Sequence, residues 1–112
     1  MQNSKVKKVK AFPIPAKMTV GASPESVSGQ ILKLNARGFL IEANVPAWKT
    51  GDKFTVQFQL PVLNNVLTET CVVVKMYTST GSQVVEGHFQ SITPGGEGHI
   101  MRFLASIPKA EG

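Results

Sequence analysis

Lys53-Phe54-Thr55-Val56-Gln57-Phe58-Gln59-Leu60 alternates strictly: Phe54, Val56, Phe58 and Leu60 are apolar, and the residues between them are polar. A period of two sends the two sets to opposite faces of an extended chain, so this stretch predicts a half-buried strand. Toward the C-terminus, residues 66 to 77 are rich in apolar and β-branched types around Cys71-Val72-Val73-Val74, and predict a more fully buried strand. Ser79, Thr80 and Gly81 supply a turn. From Val84 to Ile92, Val85, Gly87 and Phe89 share one parity, and Glu86, His88 and Gln90 share the other. This segment reads as the return strand of a hairpin, with Gly87 marking a close backbone approach or a bulge.

Toward the N-terminus, Ser26 to Leu34 and Phe39 to Ala43 flank Asn35-Ala36-Arg37-Gly38, a second hairpin whose turn is expected to hold a left-handed residue at Gly38. Pro46 to Asp52 links this hairpin to the alternating strand. It carries Trp48, expected to plug one end of the fold, with an interface anchor as the other use of such a residue. Phe12 to Val20 is extended, but Pro13 and Pro15 should confine it to an edge or an irregular start. Only the C-terminus changes period: Ile100, Phe103, Leu104 and Ile107 make a helical stripe, and Thr93-Pro94 offers an N-cap followed by proline at the first helical position. Gly95, Gly96 and Gly98 weaken the first turn by about 1 kcal/mol each relative to alanine, so regular helix is expected to begin nearer Glu97. Six short strands and one terminal helix predict an all-β, antiparallel small barrel.

The chain has 112 residues, 42% hydrophobic and 17% charged, which suits one folded domain and excludes wholesale disorder. Its net charge of +5 is unevenly placed. Lys5, Lys7, Lys8, Lys10 and Lys17 stand in the first twenty positions without an acid, and the remainder is balanced. The expected organisation is a basic leader at 1–11, a single domain at 12–107 and a tail at 108–112. No apolar run approaches the ~20 residues of a membrane span. The basic start also lacks an apolar segment of signal-peptide length. With Cys71 as the lone cysteine, the expected location is the cytoplasm.

Catalytic signatures are scarce. His88 and His99 lack metal-ligand spacing, the acids are scattered, and Cys71 sits in an apolar strand where burial suppresses thiolate formation. The expectation is a non-enzyme without metal or cofactor. What remains is a binding surface, in which the leader lysines, Lys33 and Arg37 could clamp an anion beside the N–H groups of the Asn35 to Gly38 turn.

From Ser28 to Leu104, about two-thirds of the chain, the order resembles a PilZ domain. The resemblance rests on Gly29 to Ile41, then Gly51-Asp52-Lys53 running to Pro61, a valine-rich strand, Glu86-Gly87-His88-Phe89 and Ile100 to Leu104. It implies a six-stranded antiparallel (split) β-barrel with one C-terminal α-helix. It also implies a bacterial receptor that couples cyclic di-GMP to motility, pili or polysaccharide output. The family's ligand motifs are RxxxR before the first strand and [D/N]xSxxG after the second. Here Lys33 stands at the Asp/Asn position, Asn35 at the serine position, and Gly38 matches. The leader has lysines for arginines, and no two of Lys5, Lys7, Lys8 and Lys10 are four apart. Lysine lacks the planar fork that stacks on a base and grips it bidentately.

The resulting expectation is a regulatory domain with weak or no nucleotide binding that acts through a protein partner. One alternative is a functional cyclic di-GMP receptor with an altered motif, its ligand face formed by Lys7, Lys8, Lys10, Lys33, Asn35, Arg37 and Gly38. In that account Gly38 shapes the turn, Arg37 and the lysines meet phosphates, and Asn35 bonds a base or phosphate. A second alternative, a small basic nucleic-acid-binding barrel, fits less well, because the aromatic share is 7% and most Phe residues have core-facing parity.

Overall fold

A computed structural model describes residues 12–20, 26–45, 48–61 and 64–106. Its elements are β1 (Ile14–Thr19), β2 (Val27–Leu34), β3 (Gly38–Glu42), β4 (Lys53–Gln59), β5 (Val66–Ser79), β6 (Ser82–Phe89) and α1 (Pro94–Ser106). The strands form a closed antiparallel barrel in the order β1-β2-β3-β6-β5-β4, sealed where β1 pairs with β4. Every neighbour in that order is antiparallel, as the hairpin reading predicts.

β4 alternates as its sequence dictates, with Phe54, Val56 and Phe58 buried and Lys53, Gln57 and Gln59 exposed. These rings and branched chains meet Ile14, Met18, Ile31, Ile41, Cys71, Val73 and Val85 from the other strands, while Ile100 and Phe103 of α1 complete the core. Burying a side chain of this size contributes about 1.5–3 kcal/mol, so the inward parity of each strand fixes its register. Gly87 lies on that inward parity. A Cβ there would meet the rings of Phe54 and Phe39 at 3.0 and 3.1 Å, so the missing side chain is the space in which these rings meet edge to face at 6.1 Å. Trp48 is partly buried against the core with its ring 4.9 Å from that of Phe54, the plugging position.

Four expectations are corrected. β5 is not buried on both faces. Leu67, Glu69, Cys71 and Val73 point inward, but Val66, Val74 and Tyr77 are exposed, because a closed barrel has only one dry side. Of the two placements expected for β1, the edge is excluded because the strand is paired on both sides, whereas the irregular start is present. Pro15 is tolerated because pairing with β4 begins only at Ala16. Gly38 has no positive φ. Among the described residues, the left-handed ones are Thr80 and Gly81 of the β5–β6 turn, at φ of 50° and 83°, together with Asn64 and Gly51 elsewhere. Two successive positive φ values match the right-handed twist of a tight hairpin.

The fourth correction concerns α1, which begins at Pro94 rather than near Glu97. Its cap is braced from the barrel. The Thr93 hydroxyl accepts the Gly96 N–H at 3.0 Å and donates to Glu69 Oε2 at 3.0 Å, and the Thr93 N–H reaches Glu69 Oε1 at 3.4 Å. A charge-assisted cap of this kind offsets the poor helix propensity of the glycines. A Cβ on Gly96 would collide with the same Glu69 carboxylate, so one of those glycines is required by the brace. Ile107, expected in the helical stripe, lies outside the described residues.

Candidate ligand-binding cleft

The Asn35 to Gly38 turn is closed by its own side chain. Asn35 Oδ1 accepts the N–H groups of Arg37 at 2.8 Å and Gly38 at 3.0 Å, and the Asn35 N–H donates to the Gly38 carbonyl at 2.9 Å. Asparagine favours such turns because its short acceptor can replace a backbone partner. The Arg37 carbonyl accepts the Phe89 N–H at 2.9 Å, which fixes the end of the turn to β6 and leaves the guanidinium in solvent.

Gly38 is glycine for room. It pairs with His88 across β3 and β6. A Cβ there would collide with the Gly87 carbonyl and stand 2.9 Å from His88 Cα and Cδ2. The close approach lays the His88 ring over β3.

The sheet register builds outward from this point. Leu40 pairs with Lys33 on one side and Glu86 on the other. An extra residue in β2, Leu32, interrupts the register between Ile31 and Lys33, and leaves Leu32 and Lys33 both exposed. The result is an open cleft of about 380 Å³ on the outside of the barrel, with Lys33 on the β2 side, Leu40 as floor, Glu86 with His88 on the β6 side, and Arg37 at the turn end. His88 Nε2 lies 3.1 Å from Glu86 Oε2, and both side chains are about one-third exposed. A carboxylate has no hydrogen to give, so Nε2 is the donor of this pair. A second open cleft, between the turn and Glu97 of α1, shares Asn35 and Arg37 with the first.

Of the ligand face expected from the sequence, Lys33, Asn35, Arg37 and Gly38 come together in one cleft. Lys7, Lys8 and Lys10 lie outside the described residues. Oδ1 of Asn35 is occupied within the turn, and Gly38 both closes that turn and sets the distance between strands. Glu86 and His88 were missed. Their outward parity was readable, but their place beside Lys33 depends on β6 pairing with β3 rather than with β5 alone. Glu69 was missed as well, although it stands among Leu67, Cys71 and Val73 on the inward parity, where an acid is out of place.

Cys71 is fully buried, and its thiol is pushed up to about 12, first by burial and second by the nearby Glu69 charge. It is therefore a core residue rather than a nucleophile. Among the described residues, no helix is long and apolar enough to cross a membrane.

No family model matches the sequence, and no curated protein matches it. Solved structures do. The inhibitor of motility MotI/DgrA from Bacillus subtilis superposes with a TM-score of 0.73 at 11% identity, over 84% of this chain and 46% of that one. The PilZ domain of YcgR from Escherichia coli, solved with cyclic di-GMP, superposes with a TM-score of 0.68 at 14% identity, over 85% and 82% of the two chains. The chain thus spans under half the length of MotI/DgrA and most of the YcgR domain. At these identities the likeness is one of fold, and the fold is PilZ-like.

Proposed function

We propose that this PilZ-like barrel is a non-enzymatic bacterial signalling domain in cyclic di-GMP-linked control of motility, pili or exopolysaccharide, with weak nucleotide affinity of its own and a protein partner as its output. The observation that carries the reading is the closed turn. With Asn35 Oδ1 holding the N–H groups of Arg37 and Gly38, those donors are spent within the protein. Phosphate recognition then falls to the exposed side chains of Lys33 and Arg37, and exposed charge pairs contribute only about 0–1 kcal/mol each. A leader with lysines but no arginines adds attraction at a distance without a planar fork.

Partner binding is supported by the outer face. Leu32, Val74 and Tyr77 are each more than one-third exposed on β2 and β5, and Leu32 and Val74 are set outward at irregularities in the strand register. The cytoplasm suits a domain whose single cysteine is a buried, unreactive thiol. The nucleic-acid reading has less support, since Phe12, Phe39, Phe54, Phe89 and Phe103 make ring contacts within or against the core rather than an external stacking platform.

Titration of the full chain with cyclic di-GMP, followed by amide chemical shifts, tests the nucleotide part. The expected result is fast exchange with a Kd of ~0.1 mM or weaker, shifts centred on residues 33–40 and 86–88, and binding weakened by up to about fivefold in Arg37→Ala. A submicromolar Kd would overturn weak binding and make the chain a receptor in its own right.

A further inference from the structure

We propose that Glu86 is the specificity-determining residue of the cleft: held by His88, its carboxylate reads the paired N–H donors of a guanine edge while Lys33 and Arg37 meet the phosphates. This inference rests on the nucleotide reading above and assigns the base-recognising acceptor within it.

Three observations converge on Glu86. The first is its place. Lys33 and Glu86 flank Leu40 on successive strands, which separates their backbones by about 10 Å. A cation and an acceptor therefore stand at the two sides of a half-buried aliphatic floor, where the face of a planar base would rest. The second is its hydrogen bonding. Oε2 is engaged by His88 Nε2 at 3.1 Å, whereas Oε1 has no partner among the described residues. Each carboxylate oxygen carries two acceptor sites, so the group is oriented by His88 and still able to accept two further bonds. His88 is itself fixed, because its backbone pairs with Gly38 and Val72 on either side.

The third observation is the sign of the charge. A phosphate-only ligand gains from Lys33 and Arg37 but is repelled by Glu86, so the carboxylate penalises anions that bring no donors. Guanine brings N1–H and the 2-amino group side by side and satisfies both oxygens. Adenine presents a ring-nitrogen acceptor next to its amino group, which turns one lone pair against another and leaves a half-buried acceptor unmatched, an arrangement that strongly favours the matched ligand. The acceptor missing at Lys33, where the PilZ resemblance places Asp or Asn, is thus supplied two strands away.

The test compares cyclic di-GMP with cyclic di-AMP on the full chain by amide-shift titration, in the wild type, Glu86→Gln and Arg37→Ala, with thermal melting to confirm that each variant folds. The wild type should prefer the guanine ligand by roughly tenfold, one matched donor–acceptor pair. E86Q replaces one acceptor with a donor and removes the charge. It should weaken cyclic di-GMP about tenfold and leave cyclic di-AMP equal or tighter, whereas R37A should weaken both alike. Equal wild-type affinities, or a preference that survives E86Q, would overturn the role of Glu86 while leaving nucleotide binding in place. If neither nucleotide shifts the cleft resonances, this inference and the nucleotide reading both fall, and the partner reading is untouched.

Discussion

Gly38→Ala adds one methyl group at the point where β3 and β6 approach most closely. Because Gly38 has no positive φ, the substitution carries no left-handed strain, and its entire effect comes from space. The new Cβ would collide with the Gly87 carbonyl and come within 2.9 Å of His88 Cα. Both obstacles are backbone, so no side-chain rotation relieves them. Nor can β6 recede freely, since Gly87 and His88 also pair with Val73 and Val72 of β5. Overpacking costs about 1–3 kcal/mol when side chains can adjust, and a clash with a strand held on both sides belongs near or above the upper limit. Taking about 3 kcal/mol, and a urea slope of ~1.5 kcal/mol/M for a domain of this size, the midpoint should fall by about 2 M. Trp48, packed on Phe54, provides the fluorescence signal. Gly98→Ala is the matched control. It lies in α1 with open space around its Cβ and no positive φ, and should stabilise by about 0.5–1 kcal/mol. A Gly38→Ala midpoint within ~0.3 M of wild type would refute the close-approach explanation of this glycine.

Three further outcomes follow from the geometry. Glu69→Ala strips the buried acceptor from the N–H and hydroxyl of Thr93 and should cost about 1–3 kcal/mol, with faster amide exchange at residues 96–98. Unchanged exchange there would mean that the helix start does not depend on the brace. Asn35→Ala leaves two turn N–H groups without their acceptor and should lower stability by about 1 kcal/mol, whereas Asn35→Asp keeps an oxygen in place and should retain most of it; equal melting temperatures for the two variants would contradict the turn assignment. The Cys71 thiol, raised from 9.0 to about 12 in the folded chain, is the less acidic of the two states, so the unfolded chain releases its proton first. Its contribution to stability is full below about pH 9.0, the unshifted value, and declines as pH rises from there toward 12. Alkylation at pH 9 should proceed only as fast as the chain unfolds, and labelling that outruns unfolding would show the thiol to be accessible in the native barrel.

What could be read from the sequence and what could not divide along the range of the interactions involved. The alternation in Lys53 to Leu60, the hairpin around residues 35 to 38 and the cap at Thr93 are local patterns, and each appears where its residues place it. The run Cys71-Val72-Val73-Val74 misleads because apolarity alone does not distinguish a strand dry on both faces from one whose outer aliphatics meet water. The irregularity in β5 between Val73 and Lys75, which leaves Val74 exposed, leaves no mark in composition. Gly38 was visible as a turn glycine, but the choice between positive φ and close approach depends on Gly87 and His88, roughly fifty positions downstream.

The same non-locality bears on how the cleft is judged. Set against the PilZ pattern that it resembles, the stretch 33 to 38 has Lys33 where an acceptor would stand and an Asn35 whose Oδ1 is bound within the turn, which argues against recognition of a base. Across the sheet, the β3–β6 register returns a carboxylate to that cleft from Glu86 and orients it through His88. Cleft chemistry depends on which atoms face the ligand and not on the strand that supplies them. The closed turn therefore predicts weak phosphate gripping, because its N–H groups are consumed, without predicting the absence of base selectivity. If the proposed role of Glu86 holds, affinity and selectivity should separate in this protein, and a weak Kd accompanied by a clear preference for guanine over adenine is the combination to expect.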